Sequence, residues 1–504
     1  MTTAASVDQP EPDSAPPAGA PLALRSPVDE PARSDGFVRG LSEAIGGPLG
    51  DYASRAGRTT FGGQRFWSVG RIVLAMICLT LSLHWVQKYP CNDGAWADLK
   101  QYKYMCYTDV LALYYAERLS DGAVPYRDHP VEYPVVTGAF MGVIGLGVHA
   151  LGQDNPDLNQ GQLFYNLNAL ALGALGVATA GLLLSVRKRR PWDVALFALS
   201  PALFLSATVN WDLLAIAFAA AGFVLWAKRY PAWAGVMIGL GASAKLWPAL
   251  LAFPLLALCV RAGKLKEFGI AMGAGAAAIA AVNVPVALLW RDNWMRFIDL
   301  NRERPIDWGT LWYIGDHFPR GGDQYGLEPF QWLGRNIPVL NTLTWVLIGA
   351  SMVAIGALIL TAPRRPRLAQ VAFLAVAAFL IFNKVWSQQF VLWLIPLIVL
   401  ARPRWGAFLA WSFAEVAYFV AFYGQLMGAS GKTVFPEWVF VLAATLRLGT
   451  VILLVVLVVR EIRYPELDVV RQSYADDPDG GVLDEAPDRR DVKATSAAPE
   501  PVPA

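Results

Sequence analysis

An all-α polytopic membrane protein with about twelve membrane-crossing helices is the fold this sequence predicts, and three observations predict it. The 504 residues are 55% hydrophobic and only 16% charged. Apolar runs that approach the roughly 20 helical residues a bilayer requires recur from Val69 to the region of Arg460. Lys and Arg gather in short clusters between those runs, which is how a polytopic chain encodes its orientation.

Residues 1–63 are rich in Pro, Ala, Ser and Gly, contain no run resembling a signal-peptide core, and read as a disordered cytoplasmic tail. The transmembrane domain is expected over 64–463. Its first span, about Val69 to Trp85, follows Arg55, Arg58, Arg65 and Arg71 and so starts on the cytoplasmic side. A long first outer loop, 88–162, follows and is expected to carry juxtamembrane helices.

Within that loop the run Val135 to Leu151 is apolar and glycine-rich but only marginally long. If it crossed, the cluster Arg187, Lys188, Arg189 and Arg190 would lie outside. If it dips or lies along the outer face, every later cluster falls inside: Lys228 with Arg229, Arg261 with Lys264 and Lys266, Arg364 with Arg365 and Arg367, Arg402 with Arg404, and Arg460 with Arg463. We therefore read it as re-entrant or interfacial, leaving spans near 163–186, 192–209, 212–227, 232–246, 248–260, 268–290, 338–361, 368–384, 388–401, 405–423 and 437–459. A large outer loop covers 291–336, and 464–504 reads as a disordered acidic cytoplasmic tail. Both termini are thus expected in the cytoplasm of a multi-pass cell-membrane protein.

Four cysteines are too few for a disulfide scaffold or a zinc module. Cys91 and Cys106 share the first outer loop, where an oxidising exterior would permit a bridge; two free thiols fit the sequence equally well. There is no P-loop, no HExxH and no metal-ligand spacing, so neither a metal nor a nucleotide-dependent reaction nor a nucleic-acid partner is expected.

The chemistry concentrates between Tyr107 and Pro134, where Asp109, Glu117, Asp121, Asp128 and Glu132 alternate with aromatics such as Tyr133. Acids and aromatics beside a membrane suit a site that holds a polar ring while one carboxylate acts on it. Asp109 opens a helical-looking segment, whereas Asp121 and Asp128 have turn-forming neighbours that explain them. Lys245, in GASAKLWP, and Lys384, in NKVWSQQF beside Gln388, both fall at the outer ends of spans and are expected to bind an anion such as a lipid phosphate; simple snorkelling is the rival reading. Asp212, in NWD, is either a second site carboxylate or a helix cap. His317 is the remaining substrate-binding candidate.

The order YTD, DGAVPYRDHPVEYP, NWD, GASAKLWP and NKVWSQQFVLWLIP resembles the GT-C integral-membrane glycosyltransferases, closest to the family-87 branch with its actinobacterial polyprenyl-phosphate-mannose-dependent mannosyltransferases and arabinofuranosyltransferases. The resemblance runs from about Tyr107 to Pro396. It implies a GT-C-like bundle and a polyprenyl-phosphate-sugar donor as co-substrate with no cofactor. It also implies an inverting transfer, of mannose as the expected sugar, to a cell-envelope glycolipid or glycan on the extracytoplasmic side. Asp109 would be the general base, with Lys245 and Lys384 against the leaving phosphate and Asp212, Glu132, Tyr133, His317 and Gln388 binding substrate. An arabinofuranosyltransferase and a lipid or solute transporter remain the alternatives.

Overall fold

The computed structural model describes residues 29, 31–46, 68–322 and 324–488. Residues 31–46, read as part of a disordered tail, instead form the helices Pro31–Ser34 and Gly36–Gly46, held where Asp35 accepts from Trp405 N at 2.7 Å; the expectations for the rest of the tails lie outside the described residues. The chain is an all-α polytopic membrane protein, whose strands among the described residues are the short pair Pro319–Gly321 and Gln324–Tyr325. Among the described residues, seven helices are long and apolar enough to cross a membrane: Val69–Cys91, Val135–Asp154, Gln160–Val186, Leu265–Leu289, Ile337–Thr361, Trp405–Ala429 and Glu437–Arg463. Six shorter apolar helices of 10–17 residues complete the set, including Asp212–Ala227, Leu368–Phe382 and Gln388–Ala401. These three are largely buried inside the bundle, with every residue of Val391–Ala401 buried, so their flanks meet other helices. They stop short because polar loops replace their last turns at one end, and those loops build the site.

The basic clusters converge at the opposite end of the bundle. Arg187 forms a bidentate pair with Asp479 at 2.8 and 2.6 Å, Arg367 pairs with Asp468 at 2.7 and 3.0 Å, and Arg365 lies 3.0 Å from Asp476. Arg261 reaches Asp488, and Arg402 and Arg404 share Glu461. Four clusters that the sequence grouped on one side therefore occupy one layer. The acids that meet them correct one expectation: residues 464–488, read as the start of a disordered tail, fold across this layer in short helical turns. Trp226 adds a hydrogen bond from its indole to Gly480 O at 2.7 Å. Composition suggested disorder because the segment has little apolar surface to bury, but buried guanidinium groups hold its acids while Leu483 joins the core.

At the other end, the run read as re-entrant or interfacial is one continuous helix, Val135–Asp154. Its contacts stay at this end from first turn to last. Thr137 donates to Ala244 O at 2.8 Å, His149 Nδ1 meets Ser120 O at 2.8 Å, and Gly152 abuts Gln160, the first residue of the next helix. The glycines have a packing reason: a Cβ at Gly138 would collide with the Tyr126 ring, and one at Gly142 with Pro125. The acidic loop lies directly on this helix. Cys91 and Cys106 are joined in a disulfide closing a 15-residue separation. In the chain-entropy picture such a link removes about 3 kcal/mol of freedom from the unfolded chain. It also ties the end of the first helix to the residues just before Tyr107, where Lys88 Nζ donates to Tyr107 O at 3.1 Å.

Candidate active site

The YTD stretch is pinned before it reaches the cavity. Thr108 caps the helix Asp109–Ala116, its hydroxyl accepting from Val110 N at 3.2 Å and donating to Thr208 O at 2.7 Å. The amide of Asp109 donates to Val209 O at 2.8 Å. The carboxylate thus sits in the first turn of a helix, where the backbone dipole favours negative charge. Its Oδ2 accepts from Asn210 Nδ2 at 2.7 Å and, more loosely, from Gln389 Nε2 at 3.5 Å. Burial and the neighbouring Asp109 raise the Tyr107 phenol well above its usual range, so Tyr107 stays protonated and can only donate to the carboxylate.

Asn210 links this group to the cation. The same amide donates to Tyr133 Oη at 2.5 Å, and the Tyr133 ring lies 5.5 Å beneath Lys245 Nζ, with Phe390 at 5.3 Å on another side. Lys245 Nζ donates to Asp212 Oδ2 at 3.0 Å, and Asp212 Oδ1 accepts from Trp393 Nε1 at 2.7 Å. Tyr107, Asp109, Glu132, Tyr133, Asn210, Lys245, Arg304 and Gln389 line one cavity of about 300 Å³. A second, larger cavity of about 1110 Å³ with mainly apolar walls adjoins it, sharing Trp247, Phe297, Asn301, Phe379 and Asn383 and extending along Ile337, Thr344, Trp345 and Ile348. The amphipathic helix Arg291–Glu303 covers both, contributing Phe297 and Asn301 to each.

Of the residues singled out from sequence, Asp109, Glu132, Tyr133 and Lys245 are brought together. Asp212 is neither a cap nor a cavity wall; fully buried, it is the counter-ion of Lys245. Lys384 faces the apolar cavity and spends its ammonium on the carbonyls of Arg302 and Arg304 at 3.1 and 2.6 Å. Gln388 is turned away from Asp109 into a small void lined by Ser206, Glu415 and Tyr418, because consecutive residues of the Gln388–Phe390 turn point in different directions; its neighbour Gln389 is the one at the cavity. His317 lies outside both cavities, stacked on Tyr313 with centroids 3.9 Å apart and 3.2 Å from Asp316. Sequence reasoning passed over Asn210, although it stands inside the NWD string, and over Arg304, whose loop offered no motif.

Behind Glu132 lies a second acid. Glu117 Oε1 accepts from Glu132 N at 3.1 Å, while Oε2 is 3.6 Å from His129 Nε2. Burial pushes the Glu117 carboxyl up to about 7, and the nearby Glu132 carboxylate adds to the shift. An acid with a raised folded pKa favours folding while protonated, and that advantage is lost as pH rises from the ordinary carboxylate range through about 7. Glu117→Gln should therefore gain thermal stability relative to wild type between pH 5 and pH 8. Melting curves across that range test it; a constant difference at all pH values would contradict the assignment.

A comparison with curated proteins gave no match. A family-model match covers residues 160–385; it begins after the acidic loop and so contains Asn210, Asp212, Lys245, Arg304 and Lys384 but not Asp109. Residues 160–385 match the family model Glycosyltransferase family 87, and with the membrane-helical architecture this supports a membrane glycosyltransferase.

Proposed function

We propose that this chain transfers a sugar, mannose as the expected one, from a polyprenyl-phosphate-sugar donor to a cell-envelope glycolipid or glycan. The observation that carries the reading is the union of two cavities: a polar one with a carboxylate, and an apolar one able to take a prenyl chain, sharing a wall. Asp109 accepts the proton of an acceptor hydroxyl as its oxygen attacks the anomeric carbon from the face opposite the phosphate. The bond from that carbon to the phosphate oxygen breaks, the electron pair leaves with polyprenyl phosphate, and the configuration inverts. Tyr107, Asn210 and Gln389 hold the base, and Glu132 and Tyr133 present polar groups to the sugar.

The site is assigned to the extracytoplasmic side. A basic layer at the opposite end supports a cytoplasmic placement of that end, and the Cys91–Cys106 disulfide suits an oxidising exterior. Purified protein incubated with labelled polyprenyl-phosphate-mannose or polyprenyl-phosphate-arabinofuranose and an envelope-lipid extract tests the reading. Labelled glycolipid from the mannose donor is expected. Product from the arabinose donor alone would reassign the sugar, and movement of lipid across vesicles without any product would replace transfer by transport.

A further inference from the structure

The cations around the proposed donor site are not equivalent. Lys245 is buried against Asp212, so that pair carries no net charge into the cavity. Lys384 places two of its three N–H donors on backbone carbonyls and faces the apolar cavity. Arg304 lines the polar cavity, its side chain is 40% exposed, and its nearest carboxylate oxygen, on Asp307, is 3.8 Å away, beyond hydrogen-bond range. Its guanidinium makes no side-chain hydrogen bond among the described residues, whereas Asp307 accepts from Ser387 Oγ at 3.3 Å.

The position of Arg304 is also determined. It caps the helix Arg291–Glu303, and Lys384 Nζ binds the carbonyls of Arg302 and Arg304 at that helix end, where a cation is favoured. Asp307 N donates back to Lys384 O at 2.9 Å, so the turn and the lysine are tied by both side chain and main chain. Asn301, one turn earlier, lines both cavities. Arg304 therefore stands near the junction where a lipid-linked sugar must place its phosphate.

We propose that Arg304 binds the donor's phosphate through its planar fork of donors, and that Lys384 is a positioning residue that holds Arg304 in place. The proposal rests on the glycosyl-transfer reading above and replaces the direct phosphate role expected of Lys384.

The test measures binding of a polyprenyl phosphate and of the matching polyprenol to the full-length protein in detergent. Wild type should bind the phosphate at least tenfold more tightly than the alcohol; equal binding would remove the lipid-phosphate donor itself. Given that preference, Arg304→Ala should weaken phosphate binding at least tenfold and leave polyprenol binding unchanged, which also certifies the fold. Arg304→Lys should fall between. Lys384→Ala should weaken phosphate binding several-fold, and the double variant should bind it no more weakly than Arg304→Ala. Wild-type phosphate affinity in Arg304→Ala overturns the assignment of Arg304. A further, multiplicative loss in the double variant overturns the positioning role, because Lys384 would then touch the phosphate directly.

Discussion

Asp109→Asn should lower the rate of sugar transfer by about 10²–10⁴-fold, the usual contribution of a general base. The substitution is nearly isosteric, and Asn210 can still donate to the remaining carbonyl oxygen, so the helix start and the cavity should survive. Donor affinity should change little, because the proton is taken from the acceptor and not from the donor. Initial rates with saturating lipid donor, together with the elution profile of the detergent-solubilised protein, check this. A rate within tenfold of wild type would show that Asp109 is not the base, whatever else occupies the cavity.

The second large effect is structural and lies at the far end of the molecule. Ending the chain after Tyr464 removes Asp468, Asp476, Asp479 and Asp488, and with them the carboxylates paired to Arg187, Arg365, Arg367 and Arg261. Arg187 and Arg367 are fully buried. Removing one partner of a buried ion pair costs about 3–5 kcal/mol because the other charge is left without compensation. Carbonyl contacts from Leu400 and Ala401 would soften the loss but not replace the charge. The truncated protein should lose its monodisperse folded population, while a chain ended after Asp488 should keep it. Replacing Arg187 and Arg367 by Met in the truncated chain should recover part of the stability. A truncated protein that melts like wild type would show the acidic segment to be dispensable.

That segment marks where reading the sequence fails. The apolar runs and the basic clusters are local composition, so every expected span has a helical counterpart, and the clusters meet in one layer. The acidic segment is held by partners 101 to 292 residues away, and nothing local distinguishes such acids from solvated ones. The site shows the same division. The place of Asp109 at the cavity was legible because a carboxylate opening a helix in an aromatic-rich loop lacks a structural excuse. The contacts of Lys384 were not, because its carbonyl partners lie 80 and 82 residues earlier in the chain. Asp212 was identified as important without its function, since its partner Lys245 is 33 residues away, just past the end of a different helix. The choice between Gln388 and Gln389 turned on a single short helical turn whose phase the sequence does not encode.

The most direct test of the central claim is the structure of the D109N variant bound to a polyprenyl-phosphate sugar. The sugar ring is expected in the polar cavity between residue 109 and Lys245, and the prenyl chain in the apolar cavity against Trp345 and Ile348. A sugar found outside the polar cavity, or a lipid chain seated on another face of the bundle, would contradict it.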